Sequence, residues 1–167
     1  MTVADAIADW LAAREIRCAF GIVGAGNLPL WDAITRKAAT KIVCCHHEQA
    51  AALAAAGYYR ESGKISLLLV TTGAGSSNAL TGVLSAYMDS IPVLVLSGNE
   101  PSRYMSAKTR VLGVQGYASS FVASHMTKFA AQFTAMPILD VAYSEALRPR
   151  MGPVWVDVSR DIAASQA

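Results

Sequence analysis

Two segments of this chain consist almost entirely of apolar residues, and they constrain its fold more than any other feature. Residues 65–71 read Ile-Ser-Leu-Leu-Leu-Val-Thr, and residues 92–98 read Pro-Val-Leu-Val-Leu-Ser-Gly. A strand with one face in water alternates apolar and polar side chains, whereas a strand between two layers of helices needs no polar positions. The two segments therefore predict central strands of a sheet that is covered on both faces.

The rest of the chain alternates between predicted strands and helices. Further strands are expected at residues 17–22, 41–45, 128–133 and 152–158. Helices are expected over residues 2–14, from Leu28, from Glu48, over residues 77–88 and over Pro137–Leu147. This alternation is typical of an α/β fold with a doubly wound, mainly parallel sheet of about six strands and helices on both faces. A length of 167 residues suffices for one buried core and predicts a single domain over residues 1–167.

The turns that leave the predicted strands identify one edge of the sheet as the place for a site. Gly24, Glu48, Gly73 and Gly98 each stand at a strand-to-helix turn, after the carboxyl end of a strand. Ligands of open parallel sheets bind at this edge. Residues 99–116 are polar and contain glycine, and we expect them to form a functional loop at the same edge with about one helical turn.

The charge and hydropathy of the chain exclude several classes of partner. A net charge of +2, with the basic residues scattered, argues against nucleic acid and against a membrane surface. The longest apolar runs fall far short of the roughly 20 residues that cross a bilayer. No apolar leader follows Met1, so a cytoplasmic location is expected. A charged fraction of only 16% is low and fits a covered sheet or a surface reserved for another chain.

The three cysteines predict neither a disulfide framework nor a metal site. Cys18, Cys44 and Cys45 lie in apolar stretches without CxxC spacing, and we expect free, buried thiols. Cys44 and Cys45 precede two histidines, but neighbours on a strand point to opposite faces and do not converge on one ion.

Three motifs in register carry a resemblance to a known family. His46-His47-Glu48-Gln49-Ala50 precedes an alanine-rich helix that reaches Gly57-Tyr58, residues 72–78 read Thr-Gly-Ala-Gly-Ser-Ser-Asn, and residues 86–92 read Ala-Tyr-Met-Asp-Ser-Ile-Pro. Together they resemble the pyrimidine-binding, N-terminal domain of thiamine diphosphate (thiamine pyrophosphate) enzymes of the acetolactate synthase type. The resemblance runs from about Ala4 to Ile162, nearly the whole chain.

The resemblance implies a catalytic role for Glu48. In that family the glutamate of this motif hydrogen-bonds N1′ of the cofactor's aminopyrimidine ring, and Ala51, Ala52 and Leu53 would help to keep the carboxyl group dry here. A structural explanation stands beside this one. A glutamate in the first turn of a helix is also favoured by the helix dipole and by capping.

The resemblance implies further site residues, and at some of them the chain departs from the family. The cofactor would contact Glu48 and a set of turn residues: Gly24, Ala25, Thr72, Gly73, Gly75 and Asn78. The substrate pocket would include Asn27, His47 and Gln115, with Gln115 also catalytic. Ala74 replaces a proline, and Val114 and Gly116 replace the aromatic and acidic neighbours of the glutamine, which weakens the case for acetolactate formation itself. A structural hydrogen bond for His47 and a plain tight turn at Gly73 remain open; His46 and His125 are further candidates for acid–base groups.

One half of the family's cofactor site is missing from this sequence. The family holds Mg²⁺ and the diphosphate with a Gly-Asp-Gly motif on a second domain, and this chain contains no Gly-Asp-Gly. The resemblance therefore implies a partner subunit that carries the diphosphate-binding domain and the Mg²⁺, in an α2β2 heterotetramer. The beginning at Met1 and the polar end 163–167 favour a separately encoded subunit over a fragment.

The expected function is accordingly half of an enzyme. With its partner the chain would act as a thiamine diphosphate-dependent lyase or transferase, either decarboxylating a small 2-oxo acid or joining the product to an acceptor carbonyl. The alternative is a non-catalytic structural or regulatory subunit that retains the fold. An ordinary nucleotide-binding domain is disfavoured, because the third glycine of G-x-G-x-x-G is absent and Ser97 stands where an acidic residue would follow the next strand.

Overall fold

The computed structural model describes residues 1–105 and 112–167, which form six strands and eight α-helices. The strands are β1 (Cys18–Gly21), β2 (Lys41–Cys44), β3 (Leu67–Val70), β4 (Leu94–Asn99), β5 (Phe129–Gln132) and β6 (Val154–Ser159). The helices are α1 (Val3–Ala13), α2 (Leu28–Lys37), α3 (Glu48–Ser62), α4 (Ala74–Met88), α5 (Ser102–Met105), α6 (Ser119–Ala123), α7 (Pro137–Leu147) and α8 (Arg160–Ala164). Short 3-10 turns cover Gly113–Gln115 and Ser124–Met126.

The six strands form one sheet in the order β2-β1-β3-β4-β6-β5, and every neighbouring pair is parallel. This confirms the predicted doubly wound α/β fold and makes the sheet wholly parallel. The order reverses between β1 and β3, because the chain leaves β1 toward β2 on one side and later continues from β3 toward β4 on the other. Such a reversal opens a crevice at the carboxyl ends of the two strands.

The core lies in two layers, one on each face of the sheet, as the apolar strands predicted. On β3, Leu67 and Leu69 belong to the layer beneath α1, α2 and α7, while Leu68 and Val70 belong to the layer beneath α3 and α4. All four side chains are fully buried. Alternation along the strand thus feeds both layers, which explains why the segment contains so few polar positions.

Helices α3 and α4 pack side by side through small residues. Ala51, Ala52 and Ala55 of α3 are buried, and Gly82 of α4 faces them. A Cβ atom on Gly82 would lie 2.5 Å from the Cβ of Ala52 and 3.1 Å from the backbone oxygen of Gln49. The two helices are therefore closer than a larger residue at position 82 would permit.

Two sequence-based boundaries differ from the structure. Helix α4 begins at Ala74, three residues before the predicted start, because the hydroxyl of Ser76 bonds back to the Gly73 oxygen at 2.9 Å and the glycine turn winds into the first helical turn. Gly98 lies inside β4 and not after it. The expected loop over residues 99–116 contains α5 and a 3-10 turn, and its residues 106–111 lie outside the part of the chain that the structure describes.

The prediction of buried cysteines is wrong. Cys44 is exposed, and Cys18 and Cys45 are only partly buried. For Cys44 the reason is the sheet order, since β2 is an edge strand and one of its sides has no neighbour. Within the described residues, no helix has the length and apolar character needed to cross a membrane.

Replacing Gly82 with alanine should destabilise the protein. The added Cβ collides with Ala52, and overpacking of about 1–3 kcal/mol exceeds the gain of about 1 kcal/mol that alanine brings to a helix interior. We expect a net loss in the free energy of unfolding of up to about 2 kcal/mol, measured by urea denaturation. Gly57→Ala is the matched control, because a Cβ on Gly57 meets no atom within 4 Å, and it should stabilise α3. Equal effects of the two substitutions would contradict the close packing of α3 on α4.

Candidate active site

Glu48 opens α3 at the carboxyl edge of the sheet, and its side chain is buried with only 8% of its surface exposed. The amide nitrogen Nδ2 of Asn78 on α4 donates a hydrogen bond to Glu48 Oε2 at 3.1 Å. No described residue donates a hydrogen bond to Oε1. A Cβ on Gly75 would lie 3.3 Å from that oxygen, so the glycine leaves space beside it. Glu48 thus has one oxygen held by the protein and one oxygen available to a ligand.

The other buried carboxylates of the described residues have partners of a different kind from those of Glu48. Asp157 accepts at Oδ1 from the Ser119 hydroxyl and the Trp155 indole, and at Oδ2 from the backbone N–H of Ser120 at 2.7 Å. Glu100 lies 3.3 Å from the Arg160 guanidinium. A buried charge without partners is costly, and Asp157 is satisfied at both oxygens while Glu100 is paired with a cation, as suits structural roles. Glu48 differs from both because its only printed partner among the described residues is the neutral amide of Asn78.

His47 provides the cap of α3. Its Nδ1 accepts a hydrogen bond from the backbone N–H of Gln49 at 3.2 Å, and its ring is exposed. The Glu48 side chain therefore does not serve as the cap, which removes part of the structural explanation for this residue. For His47 itself, the structure contains the hydrogen bond that the sequence left open as an alternative. A substrate contact of His47 stays a prediction.

The Gly73 turn forms a wall next to Glu48. Gly73 has φ of +64°, a backbone conformation that favours glycine, and Thr72, Gly73 and Gly75 are buried. A Cβ on Gly75 would lie 2.7 Å from Cγ2 of Thr71. The turn therefore requires a residue without a side chain at position 75.

Thr71 joins this turn to the Gly24 turn across the reversal of the sheet order. Its Oγ1 accepts from the backbone N–H of Gly26 at 3.2 Å, and a Cβ on Gly24 would lie 2.5 Å from the Thr71 side chain. Sequence reasoning did not single out Thr71. The available signal was its position, directly after the apolar strand and before the glycine turn.

The Asn27 side chain stabilises the Gly24 turn through two hydrogen bonds to its backbone. Its Oδ1 accepts from the Gly24 N–H at 2.8 Å, its Nδ2 donates to the Ile22 oxygen at 3.0 Å, and its side chain is fully buried. Ala25, at the tip of the turn, is exposed. The polar atoms of the Asn27 side chain are thus used inside the turn, and its predicted contact with a substrate has no support from this geometry.

The segment that carries Gln115 lies on the Gly73 turn. A Cβ on Gly73 would be 3.1 Å from Cγ of Gln115 and 3.0 Å from the Val114 oxygen. Tyr117, which the sequence did not identify, fixes this arrangement: its hydroxyl shares a 2.8 Å hydrogen bond with Ser76 Oγ and donates to the Gly73 oxygen at 3.3 Å. The exposed Gln115 side chain is therefore close to the turn that borders Glu48.

The structure unites most of the predicted site and leaves some residues apart. Glu48, Gly73, Gly75, Asn78 and Gln115 form one contiguous group, joined through Thr71 to Gly24. His46 and His125 are exposed, and the His125 ring lies against Phe121 with centroids 6.5 Å apart. Among the described residues there is no group of three His, Cys, Asp or Glu side chains that could hold a metal ion.

Among the described residues, the arrangement offers a carboxylate oxygen to a ligand and lacks the ligands of a metal-bound diphosphate. An open carboxylate oxygen beside a glycine can share a proton with a ring nitrogen, and the space that a Gly75 Cβ would fill lies next to that oxygen. A diphosphate with Mg²⁺ requires oxygen ligands for the metal. The described part of the chain offers no such cluster, and the sequence has no Gly-Asp-Gly.

Comparison with known proteins agrees with this geometry. The family model of the thiamine pyrophosphate enzyme N-terminal TPP binding domain matches residues 1–128. An acetolactate synthase of Arthrospira platensis is 32% identical over 99% of this chain and 29% of its own length. The acetolactate synthase large subunit of Haemophilus influenzae is 33% identical over 95% of this chain and 28% of its own length. The isozyme 1 large subunit of Escherichia coli is 28% identical over 96% of this chain. The chain thus spans less than a third of the length of these relatives.

Replacing Tyr117 with phenylalanine should loosen the Gln115 segment without unfolding the protein. The substitution removes the bonds to Ser76 and Gly73, while Ser76 keeps its own bond to Gly73. We expect faster amide hydrogen exchange in residues 112–118 and a loss of about 1 kcal/mol or less in global stability. Tyr143→Phe, on α7 at the other face of the sheet, is the control. Unchanged exchange in residues 112–118 would show that Tyr117 does not hold the segment.

Proposed function

The chain belongs to the thiamine pyrophosphate enzymes through their N-terminal TPP binding domain, and on that premise we propose that it supplies the aminopyrimidine-binding half of a thiamine diphosphate site that a second subunit completes. The complete enzyme would decarboxylate a small 2-oxo acid, as a lyase, or join the product to an acceptor carbonyl, as a transferase. The observation that carries the proposal is the buried Glu48 carboxylate with its Oε1 open beside Gly75.

Glu48 would hold a proton between Oε1 and a ring nitrogen of the aminopyrimidine. Thiamine diphosphate, when bound, supplies a nucleophilic carbon that adds to the carbonyl of a 2-oxo acid. Asn78 orients the carboxylate by binding Oε2, which leaves Oε1 directed to the ligand side. A carboxyl group that is held by its neighbours and shielded from water is suited to general acid–base work. Gly73 and Gly75 would let the ring approach the turn, and Gln115 would face the substrate.

The proposal of a partner subunit is supported by the metal ligands that this chain lacks. The described residues offer no cluster of metal ligands, and the full sequence has no Gly-Asp-Gly. We therefore assign Mg²⁺ and the diphosphate to the partner subunit and propose an α2β2 heterotetramer in the cytoplasm. The low charged fraction of 16% supports a surface that is covered by another chain.

The relatives narrow the reaction only in part. Several are named acetolactate synthases, which supports a 2-oxo acid as the substrate of the complete enzyme. At the Gln115 segment, however, Val114 and Gly116 replace the aromatic and acidic residues that the family resemblance leads one to expect. We therefore propose chemistry of the acetolactate synthase type without assigning acetolactate as the product.

Replacing Glu48 with glutamine should abolish the activation of the cofactor. The amide keeps the shape of the side chain but loses the carboxylate, and we expect turnover of 2-oxo acids by the complex to fall by about two to three orders of magnitude. Exchange of the C2 proton of bound thiamine diphosphate, followed by NMR, should fall in parallel. Glu61→Gln, an exposed glutamate at the other end of α3, is the matched control and should leave both rates unchanged. Normal proton exchange in the Glu48→Gln complex would exclude the proposed role.

The tagged chain should co-purify from its native cell with a partner that contains Gly-Asp-Gly. Mass spectrometry of the purified complex identifies the partner. The two chains should be present in equal molar amounts. A chain recovered alone, or with an unrelated protein, would favour a non-catalytic subunit. In that case Glu48 would not bind a cofactor, and the proposed function would be wrong.

A further inference from the structure

A cavity lies at the amino edge of the sheet, opposite the Glu48 site. Its volume is about 370 Å³, and its lining residues are Tyr87, Met88, Lys128, Pro149, Arg150 and Met151. Tyr87 and Met88 end α4, Lys128 directly precedes β5, and residues 149–151 lead into β6. The amino ends of parallel strands meet at the same edge, so this cavity shares no residue with the turns around Glu48.

Lys128 presents a positive charge to this cavity. Its ammonium donates to the backbone oxygen of Arg148 at 2.5 Å, and its aliphatic stem passes over Gly152, where a Cβ would lie 3.1 Å from the Lys128 Cγ. Partial burial, and then the positive charge of Arg148, lower the pKa of Lys128. A lowered pKa of a lysine means that its charged form is disfavoured by its surroundings, a condition that a nearby anion would relieve.

Arg150 presents a second positive charge, and it is held in place by neutral groups. Its Nε donates to the Ser90 hydroxyl at 2.8 Å, and its Nη2 donates to the Met88 oxygen at 3.2 Å. Within the described part of the chain, no carboxylate lies within 4.0 Å of the charged nitrogens of Lys128 or Arg150. The adjacent Arg148, in contrast, pairs with Glu145 at 2.8 Å. Two oriented cations therefore line one cavity, and Glu145, the acid whose charge acts on Lys128, is directly paired with Arg148.

The remaining walls are apolar and sulfur-rich. The Met88 side chain is 63% exposed and contributes apolar surface to the cavity. The position of the Met151 side chain is stabilised by the Tyr59 hydroxyl, which donates a hydrogen bond to the sulfur at 3.4 Å. Methionine side chains adapt to the shape of an apolar or aromatic group. Pockets of about 300–1,000 Å³ with apolar walls and a few oriented polar groups are typical of small-molecule sites.

We propose that this cavity binds a small organic anion, with its carboxylate or phosphate between Lys128 and Arg150 and its apolar body against Met88, Met151 and Tyr87. The anchored guanidinium and ammonium supply charge-assisted hydrogen bonds to the head group. The methionines and the tyrosine ring bind the body. The site is independent of the proposed function, because none of its residues contacts Glu48 or the Gly73 turn.

Binding can be measured by NMR on the full chain with ¹³C-labelled methionine methyl groups. Phenyl phosphate and benzoate serve as anionic probes with an aromatic body, and benzyl alcohol serves as the neutral probe. We expect saturable shifts of the Met88 and Met151 methyl signals with at least one anion, and the tighter probe identifies the preferred head group. Met136, which follows β5 at the opposite edge, should not shift. Benzyl alcohol should bind at least tenfold more weakly.

Charge variants test the assignment of the two cations. Arg150→Gln and Lys128→Gln should each weaken the binding of the better anion by about tenfold, since each removes a charge-assisted hydrogen bond. Lys64→Gln is the matched control, because it removes an exposed charge before β3 that does not line the cavity, and it should change affinity by less than about threefold. Thermal unfolding of each variant checks that the fold is retained. Equal weakening by all three variants, or saturation by benzyl alcohol as strong as by the anions, would overturn the proposal.

Discussion

The close approach of α3 and α4 is the constraint on which the candidate site depends. Gly82 lets α4 lie against Ala52, and at the carboxyl edge of the same pair of helices Asn78 reaches Glu48 with a 3.1 Å hydrogen bond. A residue with a side chain at position 82 would separate the helices by a fraction of an ångström or more. A hydrogen bond weakens steeply over such a change. The alanine-rich composition of α3 is thus a requirement of the site as well as of the core.

The sheet order places the remaining parts of the site. Helix α2 follows β1 on one face and α4 follows β3 on the other, so the turns after these strands diverge at the reversal. They meet through the side chains of Thr71 and Thr72. Glycines at positions 24, 26 and 75 are needed because Thr71 or Thr72 already occupies the space where their Cβ atoms would lie. The glycine turns therefore reflect crowding at the switch point, and a plain tight turn would not require glycine at all three positions.

Sequence patterns predicted the fold well because they report on local structure and on burial. The apolar runs identified the central strands, and the helix at Pro137–Leu147 was predicted at its observed bounds. Contacts between distant segments were not predictable. Tyr117 meets the Gly73 turn across 44 positions of sequence, and Thr71 meets Gly26 across 45. The exposure of Cys44 depends on which strand lies at the edge of the sheet, and the hydropathy of a four-residue strand does not contain that information.

The two interpretations of Glu48, as a helix-start residue and as a ligand-binding residue, are complementary. The positive end of the α3 dipole stabilises a negative charge in the first helical turn without occupying a particular oxygen. Because His47 accepts the hydrogen bond of the cap, Glu48 is not needed for that role. Asn78 satisfies only Oε2. The helix dipole thus compensates part of the cost of burying a carboxylate whose second oxygen has no donor among the described residues, which is the condition that a site requires if that oxygen is to bind a ligand.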